Sequence, residues 1–278
     1  MNDDLEHAVA RHYGRGDIAG RILEALKASG IDTDRLSPDD LAPVDEFHIG
    51  GRAASEQVLA RLGLNQDQHV LDIGCGIGGT TRYMAHAYGC RVTGIDLTPE
   101  FIDAAVTLSK RTGLAEKVHF QVASALALPF DDASFDAAIT FHVAMNITDR
   151  PTLYAEAARV VKPEALICVY DVMRGATGAV RYPAPWAETA ETSHLTTPDE
   201  TQALLEQAGF RIEDVEDRTA AGIAFFRERL SPSAGGPPPL GIHLLLGPGA
   251  REMFENVLRG MEEGALAPVA MIARRVGE

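Results

Sequence analysis

The sequence has 278 residues, 46% of them apolar and 23% charged, enough for a substantial core in one domain or one domain with a lid. Its formal net charge of −15, with Lys and Arg scattered rather than clustered, excludes nucleic acid as an expected partner. No apolar run approaches the ~18 residues of a membrane span, and the acidic start Asn2-Asp3-Asp4 is unlike a secretory signal, so a cytoplasmic protein is expected.

In chain order, the first 60 or so residues read as helical. Asp17 is placed to cap a helix in which Ile18, Ile22, Ala25 and Leu26 share a face. Ser37-Pro38-Asp39-Asp40 marks a turn or a helix start, and a further helix is expected over 52–62. From His69 the pattern changes. Short apolar strands are expected at 69–73, 91–95, 117–122, 135–140 and 165–170, with helices between them, one running to 87 and others at 98–110 and 151–160. Thr98 is the expected cap of the second of these, with Pro99 at its first position. Strands at 210–216 and 267–273 follow, with helices at 198–208, 219–230 and 248–263. Such alternation predicts an α/β fold with a doubly wound, mostly parallel seven-stranded sheet. The expected organisation is a helical N-terminal segment or lid over 1–64 and a main domain over 65–278, with acceptor-side lid insertions at about 174–197 and 219–264. The Ser, Gly and Pro stretch at 231–239 reads as a flexible or extended connection. Cys75, Cys90 and Cys168 lack metal-ligand spacing and are expected to be buried free thiols. No His, Asp and Glu spacing suggests a bound metal.

The strand at 69–73 runs into Gly74-Cys75-Gly76-Ile77-Gly78-Gly79 and then a helix. Glycines there let backbone N–H groups approach a ligand beyond the strand ends. Asp96, closing the second strand, can accept both hydroxyl hydrogens of an adenosine ribose. Gly74, Gly76 and Gly79 also satisfy the dinucleotide fingerprint, so a nicotinamide-dependent dehydrogenase is an alternative. Asp72, inside an otherwise apolar strand, favours a cationic ligand over a pyrophosphate. No tyrosine is followed four residues later by lysine, as a short-chain dehydrogenase needs.

Five segments then occur in order: the stretch 70–79, Gly94-Ile95-Asp96-Leu97-Thr98-Pro99, Ala125-Leu126-Ala127-Leu128-Pro129-Phe130, Ser134-Phe135-Asp136 and Arg159-Val160-Val161-Lys162-Pro163. Together they resemble the successive motifs of class I S-adenosylmethionine methyltransferases over roughly residues 45–275. Within that class the chain is similar to small-molecule enzymes of the sarcosine/dimethylglycine, tocopherol and natural-product sugar methyltransferase kind. The resemblance implies a Rossmann-like sheet and S-adenosylmethionine as cofactor, with S-adenosylhomocysteine as product. It puts the methionine end near Asp72, Gly74, Gly76 and Gly78, the ribose on Asp96, and the adenine against Leu97, Ser124, Ala125 and Leu126. Ser124 stands where the family usually has an aspartate, and Glu164-Ala165 where it usually has Gly-Gly.

The partner is then a small-molecule methyl acceptor, attacked at O, N or C. Aligning the reactants removes about 7–11 kcal/mol of barrier, whereas a general base contributes only about 10²–10⁴-fold. His142 follows the fourth strand and Asp171 the fifth, and related sugar O-methyltransferases have a histidine and an aspartate at matching places. Two readings stand side by side: Asp171 orients His142 as a base, or His142 contacts the cofactor while Asp171 caps a loop. His48, His194 and His243 are further candidates, more simply read as structural. Tyr13, Phe47, Trp186, Phe225 and Phe226 could wall an apolar acceptor pocket. A non-catalytic S-adenosylmethionine-binding protein is the alternative from outside enzymology.

Overall fold

The structure, a computed structural model, describes residues 17–231 and 239–277; Tyr13 and most of the 231–239 connection lie outside them. Asp17 accepts the Gly20 N–H at 2.8 Å and opens α1 (Ile18–Ala28), which buries Ile18, Ile22 and Leu26. Ser37 and Asp40 cap one another's backbone N–H groups at the start of α2 (Pro38–Asp45). The helix expected over 52–62 is α3 (Gly51–Leu59), tightening into a 3₁₀ turn at Ala60–Leu62.

The alternating region gives β1 (His69–Ile73), α4 (Gly79–Ala87), β2 (Arg91–Asp96), α5 (Pro99–Arg111), β3 (Val118–Val122), β4 (Phe135–Phe141), α6 (Arg150–Val160) and β5 (Val161–Arg174). There follow α7 (Pro198–Gln207), β6 (Phe210–Asp217), α8 (Thr219–Leu230), the short α9 (His243–Leu246), α10 (Ala250–Glu262) and β7 (Leu266–Arg275). The seven strands stand in the order β3-β2-β1-β4-β5-β7-β6. All pairs are parallel except those of β7, which runs antiparallel to both neighbours. This is the Rossmann-like sheet expected from the sequence. Its order reverses between β1 and β4, opening a crevice at the carboxyl ends of those strands.

Three local expectations need correction. Thr98 makes no side-chain cap to α5; its backbone N–H instead donates to Asp96 Oδ1 at 2.9 Å. The fifth strand runs well past 170, because the antiparallel partner β7 pairs with it from Leu166 to Arg174. Asp171 therefore lies inside a strand, not after one. Glu164, within β5 rather than at a turn before it, takes the left-handed φ of +65° that a glycine would adopt without strain.

Both faces of the sheet are covered. Leu71, Ile73, Val169 and Met271 pack into one core, and Val70, Ile139, Cys168 and Ile272 into the other. A third cluster joins α1 and α2 to α5, α9 and α10 through Ile22, Leu26, Leu41, Phe101 and Leu245. A fourth, with Ile49, Trp186, Phe226 and Val257, connects the segment before α3 to the 174–197 excursion, α8 and α10.

Candidate active site

At the end of β1 the chain turns through Gly74, Gly76 and Gly78, all with positive φ (77°, 54° and 80°). The N–H groups of Gly74 and Cys75 both donate to the Ile95 carbonyl at 2.8 Å, tying the turn to the end of β2. The glycines have different work. A Cβ at Gly74 would come within 2.3 Å of Val143 Cγ2, so this glycine admits the chain that leaves β4. A Cβ at Gly76 would meet nothing within 4 Å, because that position opens onto a cavity. Gly78, expected as a cofactor contact, is not on the cavity wall; a Cβ there would strike Phe120 at 2.7 Å and Arg82 at 3.0 Å. Its role is close helix–strand packing.

The cavity, of about 190 Å³, runs over the carboxyl ends of β1, β2 and β4. Asp72, Gly74, Gly76, Asp96, Leu97, Ser124, Ala125, Leu126 and His142 all contribute to its wall. Asp72 is 2% exposed and accepts the Thr81 hydroxyl at 2.6 Å. Burial outweighs that bond, and with Asp96 and Glu46 nearby it pushes the Asp72 carboxyl up to about 7. Burial likewise raises Asp96, against the N–H groups of Thr98 and Gly76, which donate to Oδ1 and Oδ2 at 2.9 and 3.0 Å. The Thr98 hydroxyl and the Leu97 N–H also favour its ionised form, so the carboxylate is fixed in the cavity wall as an acceptor. Ser124 Oγ accepts the Leu126 N–H at 3.1 Å, and so bends the segment after β3 along the cavity.

The stretch between α2 and α3 forms another wall. Asp45 and Arg82 make a fully buried ion pair at 2.6 Å beneath the glycine turn. Glu46 Oε2 accepts from Ser55 Oγ at 2.8 Å and lies 2.9 Å from His48 Nε2; Arg52 Nε donates to Oε1 at 2.7 Å. Burial alone would raise Glu46, but His48 and Arg52 overcome it and hold the carboxyl at about 2. The Thr80 hydroxyl donates to the same carboxylate at 3.3 Å, joining this network to α4. His48 is therefore a buried structural group next to the site, while His194 and His243 are off the cavity wall.

Of the two readings weighed for His142 and Asp171, the base dyad is not formed. His142 stands at φ +56° just after β4. Its Nδ1 lies 3.1 Å from the Tyr170 carbonyl, and its Nε2 accepts the Ile49 N–H at 3.2 Å. An amide can only donate and a carbonyl only accept, so the ring is neutral with its hydrogen on Nδ1. Burial, then the neighbouring His48, hold its pKa well below the ordinary value. The Tyr170 hydroxyl donates to the Ile49 carbonyl at 2.8 Å, so the Ile49 peptide is gripped on both sides. Asp171 Oδ1 accepts the Val143 N–H at 2.8 Å; burial raises its carboxyl to about 6, opposed by Arg150. Asp171 holds the backbone after β4 rather than the histidine ring.

Beyond His142 the wall turns apolar, with Met145, Val172, Trp186, Phe225, Phe226, Phe254 and Val257. Trp186, Phe225 and Phe226 line the cavity here, whereas Phe47 lines it beside the cluster of α1, α2 and α5.

Residues 71–169 match the family model described as a methyltransferase domain. The chain is 33% identical over 202 residues to the O-methyltransferase cnsE of Penicillium expansum, covering 70% of this chain and 68% of that protein. The chain belongs to the S-adenosylmethionine-dependent methyltransferases. It is also 36% identical over 137 residues to the norajmaline N-methyltransferase of Rauvolfia serpentina, covering 49% of this chain and 43% of that one. Geranyl diphosphate C-methyltransferase from Streptomyces coelicolor A3(2) shares the fold at a TM-score of 0.72, with 18% identity over 98% of both chains.

The methyltransferase's cavity fits its methyl donor. A sulfonium and an ammonium favour the end lined by Asp72 and Asp96, where a nicotinamide dinucleotide's pyrophosphate would be repelled. Gly76 supplies an open cradle there. The Asp45–Arg82 pair, the Glu46 network and Tyr170 were missed by the sequence reading. Phe47-His48-Ile49-Gly50-Gly51, set before a helix and rich in aromatic and glycine residues, was the available signal for that wall.

Proposed function

We propose that the methyltransferase alkylates an O, N or C atom of a small, apolar, ring-containing molecule by in-line displacement at the sulfonium methyl. The observation that carries this reading is one cavity with an acidic, glycine-lined end and an aromatic end, His142 lying between them in the wall. S-adenosylmethionine supplies an activated methyl group when bound. Asp72, Gly74 and Gly76 hold its methionine end, Asp96 its ribose, and Leu97 with the 124–126 segment its adenine. The relatives' names span O-, N- and C-methylation, so the acceptor atom is decided by the aromatic end rather than by the family. Incubation with methyl-tritiated S-adenosylmethionine and a panel of aromatic phenols, amines and acids tests this reading; no label transfer to any of them would count against it. The free, buried Cys75, Cys90 and Cys168, each thiol raised by burial, support a reducing cytoplasmic setting.

His142 is better supported as a positioning residue than as a base, since both ring nitrogens are engaged by backbone. His142→Ala is then expected to slow turnover about tenfold, the loss of one hydrogen bond at Ile49. His142→Gln, which can still accept from Ile49, should recover most of it. A base role predicts that both variants lose about 10²–10⁴-fold equally.

Asp72 makes donor binding pH-dependent. Its pKa of about 7 in the free protein lies above the ordinary 3.8, so near neutrality it is part-protonated. A bound ammonium or sulfonium favours the ionised form, so binding should release protons and strengthen as pH rises through 7. Calorimetry of S-adenosylmethionine binding at pH 7 in buffers of different ionisation enthalpy should show release of roughly half a proton from this group. Asp72→Asn should lose that component. An unchanged release in Asp72→Asn would remove Asp72 from the donor site.

A further inference from the structure

The cavity wall contributed by α8, α9, α10 and residues 185–186 contains one charged side chain, Arg229. Its guanidinium lies 4.4 Å from the Phe225 ring centroid. A Cβ placed on Gly51 would come within 4.0 Å of its Nη2, so it lies beside the opening turn of α3. Among the described residues it makes no hydrogen bond and no ion pair. Two positions earlier on the same helix, Arg227 pairs with Glu262 at 2.6 Å. Arg229 is exposed over its surface as a whole, but the cavity walls shield its guanidinium enough to lower its pKa, and the adjacent Glu228 only partly offsets this.

A guanidinium is a fork of donors suited to carboxylate and phosphate oxygens, and this one lines the cavity with its donors unused among the described residues. Its aromatic surroundings strengthen any ionic contact made there and favour a ligand with an apolar ring next to the charge. We infer that Arg229 selects the methyl acceptor by binding an oxyanion on it, a carboxylate or a phosphate ester, while Trp186, Phe225 and Phe254 hold an apolar, ring-containing body. This rests on the proposal that the aromatic end of the cavity receives the acceptor.

The sequence contains a single tryptophan, and Trp186 lines this end of the cavity at 3% exposure, so intrinsic fluorescence reports on occupancy. With the protein saturated in S-adenosylhomocysteine, 3-phenylpropanoate, phenethyl phosphate and the neutral 3-phenylpropanamide are titrated against that signal. At least one anion should bind tenfold or more tighter than the amide, and the tighter of the two names the acceptor's headgroup. Arg229→Gln should bring acid and amide within about twofold, and Arg229→Lys should keep part of the preference, both with unchanged S-adenosylhomocysteine affinity. Equal binding of acid and amide to the unaltered protein, or a preference that survives in Arg229→Gln, overturns the role of Arg229 and leaves the acceptor pocket standing. No response to any of the three probes, with S-adenosylhomocysteine still bound, overturns the acceptor pocket and this inference together.

Discussion

Arg82→Met is expected to destabilise the methyltransferase by about 3–5 kcal/mol at pH 8, because it leaves Asp45 as an uncompensated buried charge. Both side chains of that pair are 0% exposed, and Arg82 Nη2 donates to Asp45 Oδ1 at 2.6 Å. Arg82 Nη1 also donates to the Ile77 carbonyl at 2.8 Å, inside the glycine turn, so the damage reaches the donor site. The deficit should depend on pH in a definite direction. Burial already raises Asp45 to about 6, above its ordinary 3.8, even with Arg82 opposing it. A carboxyl whose folded pKa is raised contributes most stability below the unfolded value and loses it as pH rises through the folded one. Removing Arg82 lifts the folded value further, so the penalty is full above it and shrinks as pH falls towards 5 and Asp45 takes a proton. Adding Asp45→Asn to Arg82→Met removes the charge and should recover much of the loss. Chemical denaturation of the unaltered chain, Arg82→Met and the double variant at pH 5.5 and 8 reads these terms. A pH-independent deficit, or no recovery in the double variant, would mean that the lost packing of the long side chain matters more than the charge.

This pair also shows where reading the sequence stopped. The sheet was legible because each strand carries its own signal: β1 and α8 fall where periodicity put them, and Asp17 caps α1 through a contact three residues away. The glycine turn, Asp72 and Asp96 were legible for a similar reason, each lying on one strand–turn–helix unit. Asp45 and Arg82 stand 37 positions apart in sequence, and the Glu46 network joins α2, α3 and α4. No local period encodes such a contact; it exists only after the N-terminal helices dock on α4. Of the two readings of His142 and Asp171, the dyad failed for a related reason. It assumed that both residues sit at free strand ends, whereas β7 extends β5 past Asp171 and turns its carboxylate onto the Val143 amide. Gly78 failed more simply, since glycines needed for packing and for ligand approach look alike in sequence.

Asp96→Ala is expected to weaken S-adenosylhomocysteine binding at least tenfold, the loss of at least one hydrogen bond to a charged acceptor at roughly 1.5–3 kcal/mol. The argument starts from what holds this carboxylate. Gly76 N–H and Thr98 N–H donate to different oxygens, which fixes the group in the cavity wall. The ribose hydroxyls proposed for this place would bind a preorganised acceptor. Alanine removes those bonds and also releases the Gly76 N–H, which slackens the turn that cradles the methionine end. Asp96→Asn separates the two effects. Its amide oxygen can keep one backbone N–H, but its NH₂ faces the other, so it should show an intermediate loss. Asp96 is also raised by burial, so its removal relieves some desolvation, and the melting temperature should fall less than the affinity does. Paired calorimetric titrations and thermal melts of the three proteins distinguish a ligand contact from a structural one. If Asp96→Ala binds S-adenosylhomocysteine within twofold of the unaltered chain, the ribose does not sit there. If affinity and melting temperature instead fall in proportion, Asp96 acts by shaping the glycine turn, and the donor contacts must come from the backbone at Gly74 and Gly76.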